Sequence, residues 1–195
     1  ILDFMILNEK LAVIYVEDSF DEVKISKIPE ICSWEKEEVM SSLINITNKL
    51  SSGISASYAS GVSYVNKNPY ITASGKNVLI GIIDSGIDYL HPDFINNDNT
   101  TKIVSIWDQS SNKKNPPQGA VFGSEFTRED INKAIEDNDS TLTTDEIGTG
   151  TIAAGICAGR GKLNSEYLGV AVDSELVVVK LRQYEGKFKK GVTRS

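Results

Sequence analysis

VLIGIIDSGIDYLHPDF, residues 78–94, opens on an unbroken apolar run that stops at an acid. Apolar residues at every position, without polar alternation, describe a central strand of a parallel sheet buried on both faces. Ser85-Gly86 then makes the turn out of the strand. In open parallel sheets functional groups collect at the carboxyl ends of strands, and Asp84 stands at such an end. An acid there either braces the turn through Ser85 and Gly86 or orients a cationic imidazole. Its immediate neighbours do not choose between the two.

The flanking sequence repeats the pattern. ELVVVKL, residues 175–181, reads as another fully buried strand, and IVSIW, residues 103–107, as a third. Between them Thr127 to Ile135 reads as a helix, with Thr127 as cap and Asp130 three residues on. GTIAAGICAG, residues 150–159, reads as a buried helix made of small residues. Strands alternating with helices predict an α/β layered sheet with parallel pairing.

Ahead of this unit the signals are shorter. Leu2–Leu7 and Leu11–Val16, joined by Asn8-Glu9-Lys10, predict a β-hairpin. Asp18 or Ser19 caps a short helix through Ile28, which Pro29 stops. IPEICSW, residues 28–34, reads as a strand, while Val39, Leu43, Ile46 and Leu50 recur at a spacing that equally fits a helix over 36–50. SSGISASYASG, residues 51–61, reads as a linker, and a domain boundary is expected near it.

Composition narrows the function. Hydrophobic content of 40% with 24% charged residues, over 195 residues, is that of a globular chain able to bury a core. A net charge of −7 opposes binding to nucleic-acid phosphates and anionic membranes. No apolar run approaches the roughly 18 residues of a membrane span. The basic cluster Lys187, Lys189 and Lys190 reads as a solvated, protease-sensitive loop. Cys32 and Cys157, far apart and outside any CxxC spacing, read as two buried thiols, with a single disulfide as the alternative. Carboxylates in TREDINKAIEDND read as a solvated helix face, not a cation site, and no phosphate-cradling glycine loop is present. Ile1 in place of an initiator Met, and a C-terminal GKFKKGVTRS that closes no unit, lead us to expect part of a longer protein.

Three segments in order carry a family resemblance. VLIGIIDSGIDYLHPDF resembles the aspartate motif of the subtilisin-like serine proteases (peptidase S8). DEIGTGTIAAGICAG, from Asp145, resembles their histidine motif, Asp-x-x-Gly-His-Gly-Thr followed by small residues. YLGVAVDSELVVVKL resembles the strand region that follows, with Val172 where proline is commoner. TTKIVSIWDQ and GSEFTREDINKAI are similar to the clostridial spore-germination subtilases, the Csp group.

The resemblance, over roughly residues 70–182, implies a partial subtilisin-like fold: α/β, a three-layer sheet with parallel strands, preceded by a small α+β pro-domain. Residues 1–50 would be the later, ferredoxin-like part of that pro-domain, 51–69 the linker, and 70–195 the N-terminal part of the protease-like domain. The same comparison favours the strand reading of IPEICSW.

The resemblance also exposes a departure. Asp84 takes the triad Asp position, but the histidine position is Thr149. The imidazole of a serine protease takes the nucleophile's proton and returns it to the leaving amine. That exchange needs a pKa near the working pH, and a threonine hydroxyl has none there. In subtilisin itself, loss of this histidine costs about 10⁶-fold in kcat. The only histidine, His91, is expected to brace the turn after the Asp strand, and Asp145 to cap the helix. The family's nucleophilic serine and oxyanion asparagine belong downstream of Ser195, so neither Ser85 nor Ser195 is read as a nucleophile.

The resemblance therefore implies a pseudoprotease that needs no metal or cofactor. Its implied partners are other Csp subtilases, a cortex-lytic pro-enzyme pathway and small-molecule germinants such as bile acids; its implied location is the cortex or coat region of a bacterial spore. The competing expectations are an active endopeptidase with atypical chemistry and a ligand-free structural partner of such a protease.

Overall fold

The computed structural model describes residues 3–17, 19–35, 60–71 and 73–182. The chain divides into two units, one built on Ile1–Ser41 and one on Ser42–Pro117 with Phe122–Glu185.

In the first unit β1 (Asp3–Asn8) pairs antiparallel with β2 (Leu11–Tyr15), which is the expected hairpin. A 3-10 helix follows at Glu22–Lys27, capped by Asp21, whose carboxylate accepts from the Val23 N–H at 3.2 Å. The cap therefore lies beyond the expected Asp18 or Ser19. IPEICSW is a turn and irregular chain, not a strand. Pro29 has no N–H for a ladder and sits in the turn closed by Ile31 N–H on the Ile28 carbonyl. The alternative helix over 36–50 lies outside the described residues, as does most of the expected linker.

The second unit holds a short helix α1 (Val62–Asn66) and a four-stranded sheet of β3 (Leu79–Asp84), β4 (Ile103–Asp108), β5 (Ser124–Thr127) and β6 (Glu175–Lys180). The order is β3-β6-β4-β5; the first two pairings are parallel and β5 is antiparallel to β4. Two helices accompany it, α2 (Arg128–Glu136) and α3 (Thr149–Ala158). At the start of α2 the Thr127 N–H donates to Asp130 Oδ2 at 3.0 Å, the reach-back half of the expected capping box.

Register assigns the faces. Ile82, Val178, Ile106 and Phe126 lie side by side across the four strands and are all buried. They form one core with Ile131 and Ala134 of α2 and Ala154 and Ala158 of α3. Each such large side chain contributes about 1.5–3 kcal/mol of burial. The opposite row is Ile83, Val179, Trp107 and Glu125, and Ile83 is 62% exposed. Among the described residues the sheet thus has one helical layer, where a three-layer arrangement was expected.

Among the described residues β3 pairs with β6 alone and stands at an edge of the sheet, where its composition predicts a central strand. Strand composition reports what both faces would bury; strand order depends on which segments pair. β6 likewise alternates buried and half-buried positions after an exposed Glu175.

Candidate functional site

The site forms where the carboxyl ends of the parallel strands meet the start of α3. Its close approach is set by glycine. A Cβ on Gly150 would lie 2.1 Å from the Gly86 carbonyl oxygen, so only glycine lets the helix start touch the turn after β3. Gly148, the helix N-cap, has φ +84°, a left-handed conformation that other residues adopt at a cost. Together they deliver Thr149, 1% exposed, to the end of β3.

Thr149 Oγ1 donates to Asp84 Oδ1 at 2.6 Å. The same carboxylate oxygen accepts the Ser85 N–H at 2.7 Å. Ser85 Oγ lies 2.9 Å from Thr149 Oγ1, donates to Asp145 Oδ1 at 2.6 Å and accepts the Gly150 N–H at 3.1 Å. The two site residues singled out by sequence, Asp84 and Thr149, are therefore in direct contact across 65 positions of chain.

Asp145 performs the expected capping. Its carboxylate accepts from the N–H groups of Gly148 and Thr151 at 2.9 and 2.8 Å and from Thr151 Oγ1 at 2.6 Å. An anion at a helix start also meets the positive end of the helix dipole. Burial pushes this carboxyl up, but the hydrogen bonds from Ser85, Thr151 and Gly148 prevail and hold it below the ordinary carboxylate range.

His91 stands apart from this arrangement. Its Nδ1 accepts the Asp93 N–H at 3.3 Å and caps the 3-10 turn Pro92–Phe94, with its ring tilted against Phe94 at 5.8 Å. With Nδ1 so engaged, the ring braces the turn after the Asp strand, as expected.

Sequence reasoning missed a second acid. Register places Lys180 of β6 beside both Asp84 of β3 and Asp108 of β4. The Lys180 amine turns toward Asp108 Oδ2 at 3.7 Å and Thr144 Oγ1 at 3.4 Å. Asp108, 3% exposed, also accepts from the Ser110 N–H and hydroxyl at 2.9 and 2.6 Å and from Thr143 Oγ1 at 2.6 Å. Burial raises this carboxyl, but the Ser110 and Thr143 bonds and the Lys180 charge bring it below its ordinary value. The strand-end rule that flagged Asp84 applies equally to IVSIWD and ELVVVK, so this signal was present in the sequence.

Beneath the site, Lys102 anchors the far end of α3. Its buried amine donates to the carbonyls of Ala158 and Val172 at 2.5 and 2.9 Å. Burial first, and then the Arg160 guanidinium, lower its pKa from 10.5 to about 8.

Both cysteines are free, but Cys32 is exposed and only Cys157 is half-buried, against the expectation of two buried thiols. No group of acidic, histidine or cysteine side chains among the described residues is arranged to hold a metal ion. No helix among them is long and apolar enough to cross a membrane.

A family model described as the subtilase family, Peptidase_S8, matches residues 75–194. Among solved structures, that of the Clostridium perfringens CspB protease is similar, with a TM-score of 0.56 and 28% identity. The similarity covers 67% of this chain and 25% of that one, so the chain spans about a quarter of the relative's length. No curated protein matches the chain at a significant level.

Proposed function

The chain belongs to the subtilase family, and from that premise we propose that it is the N-terminal part of a pseudoprotease that regulates bacterial spore germination. The observation carrying this reading is Thr149, which occupies the family's histidine position and gives its hydroxyl to Asp84 at 2.6 Å. The triad acid then orients an alcohol that has no basic nitrogen to accept a nucleophile's proton and hold it as a cation. What such a fold retains is a scaffold with recognition surfaces.

On this reading residues 1–50 are the later part of a pro-domain, which stays attached because the domain that would cut it off lacks its base. The relation to Csp proteases supports a role beside them. The degenerate triad resembles that of CspC of Clostridioides difficile. It suggests a protein of the spore cortex or coat region that senses or relays small-molecule germinants, bile acids among them, to activation of a cortex-lytic pro-enzyme.

The test uses the full-length protein that carries this chain. A covalent serine-hydrolase probe should not label it and a peptide substrate should not turn over. Self-cleavage, or turnover at rates usual for active subtilases, overturns the proposal. Germinants should raise its melting temperature; a flat response with every germinant favours the ligand-free structural partner. Thr149→His asks whether the rest of the machinery survives, with regained pro-domain cleavage as the positive readout.

A further inference from the structure

A cleft of about 540 Å³ opens between the loop that precedes β4 and the helix α2, and none of the residues around Asp84 and Thr149 lines it. Its floor is half-buried, with Ile95 and Thr100 from the loop and Asn132 and Ile135 from the helix. Its rim is exposed and carries Asp98 and Glu136, one from each wall. A volume of this order suits a small organic molecule better than a bare ion.

The walls are set before anything binds. The loop folds back on itself at the Ile95–Thr101 bridge, where the Asn96 N–H donates to the Thr100 carbonyl at 2.6 Å. Asp98 Oδ1 accepts the N–H and the hydroxyl of Thr100, at 3.1 and 2.6 Å. Asn132 of α2 ties the walls together, its Oδ1 accepting the Thr101 N–H at 2.7 Å. Two acceptor groups are left over. Asp98 keeps Oδ2, and the Glu136 carboxylate has no protein partner among the described residues. Arg160 and Lys162 hold the loop through Asn96, at 3.0 Å on its Oδ1 and 3.2 Å on its carbonyl, but neither lines the cleft. Among the described residues, the charged groups that line it are therefore the two acids. The Thr100 hydrogen bonds hold the Asp98 carboxyl below the ordinary carboxylate range.

We infer that this cleft binds a small organic cation, a protonated amine carried on a short apolar body. An ammonium brings three donors and no acceptor, which complements a rim that offers Asp98 Oδ2 and Glu136. The apolar body lies over Ile95 and Ile135 and takes part of their surface out of water. An anion would meet two carboxylates of its own sign, and a neutral alcohol of the same shape would forgo both charge pairings. A hard divalent ion asks for six or more close oxygens, whereas two rim acids at the mouth of an open cleft supply few.

The test is ligand-observed saturation-transfer NMR on the full-length protein that carries this chain, at about pH 7 and low salt. Butylammonium, butanol and butyrate serve as probes of one shape and three charges. Butylammonium should saturate with a dissociation constant near millimolar, as its few atoms allow, and the other two should bind at least about 10-fold more weakly. Glu136→Gln, a change at a side chain bonded to nothing else described in the fold, should weaken butylammonium about 2–5-fold, as for an exposed charge pair. Adding Asp98→Asn, which keeps an oxygen for Thr100, should bring the loss to about 10-fold. Glu129→Gln, on the same helix but outside the cleft, should leave the affinity unchanged. Failure of butylammonium to saturate, equal binding of butanol or butyrate, or indifference to Glu136→Gln overturns the inference. So does displacement of the amine by an equal concentration of Ca²⁺, which would make the cleft a metal site. The inference rests on this cleft and not on the pseudoprotease reading, so peptidase activity would defeat that reading and leave these affinities to be judged by themselves.

Discussion

Asp84 and Asp108 hold matching positions, each ending a parallel strand with Lys180 in register between them, yet they are finished differently. Asp108 is 3% exposed and accepts hydrogen bonds on both oxygens, with the Lys180 ammonium 3.7 Å away. Asp84 is half-buried and uses one oxygen, toward an alcohol and a backbone N–H. The first is an architectural acid, whose surroundings complete it. The second is an acid that shares one oxygen between a neutral hydroxyl and a backbone N–H. On the proposed pseudoprotease reading, the difference confines the change to the side chain at position 149 and leaves the supporting frame intact.

Gly150→Ala should have the greatest effect, because its Cβ would meet the Gly86 carbonyl at 2.1 Å and drive α3 away from β3. We expect a loss of about 3 kcal/mol or more, or no folding, measured by urea unfolding. Asp108→Ala follows, at about 3–5 kcal/mol, since it leaves the Lys180 amine beside Thr144 without its counter-ion and takes the acceptor from the Ser110 and Thr143 hydroxyls. Asp84→Ala should cost much less, about 1 kcal/mol, and a cost as large as that of Asp108→Ala would erase the distinction between the two acids.

Lys102 gives a comparable but pH-dependent effect. Its folded pKa is about 8 against 10.5 for the free amine. Below about pH 8 the amine is charged in both states and the fold bears the full desolvation cost. Between about 8 and 10.5 the unfolded chain binds more protons, so stability should rise with pH by up to about 3 kcal/mol. Lys102→Met should remove that rise in unfolding curves taken from pH 7 to 11. The smallest change expected is from Ile83→Thr on the open face, within about 0.5 kcal/mol, because a side chain 62% exposed has little burial to lose.

Much of the frame was readable in advance because its signals are local. VLIGIID, ELVVVK and IVSIW carry their strand character in the residues themselves, and α2 announces its start with Thr127 and Asp130. β5 was not foreseen: SEFT is four residues whose extended form comes from pairing with β4. IPEICSW misled in the opposite direction, its apolar residues suggesting a ladder that Pro29 and the Ile28–Ile31 turn do not form. At the site, Asp84 and Thr149 came from motif resemblance. Ser85 joins them through a bond to Asp145, 60 positions away, a proximity that only the folded chain creates.

The outer side of β3 carries a consequence for handling the molecule. Leu79 and Ile83 are 57% and 62% exposed, and among the described residues β6 is the strand's only ladder partner. An apolar, uncharged stretch with a free row of backbone donors and acceptors is an adhesive seam, on which a strand of another copy can dock. This 195-residue chain should precipitate or form β-rich aggregates as its concentration rises. A lysine at position 79 or 83 is the simplest change that would keep it in solution.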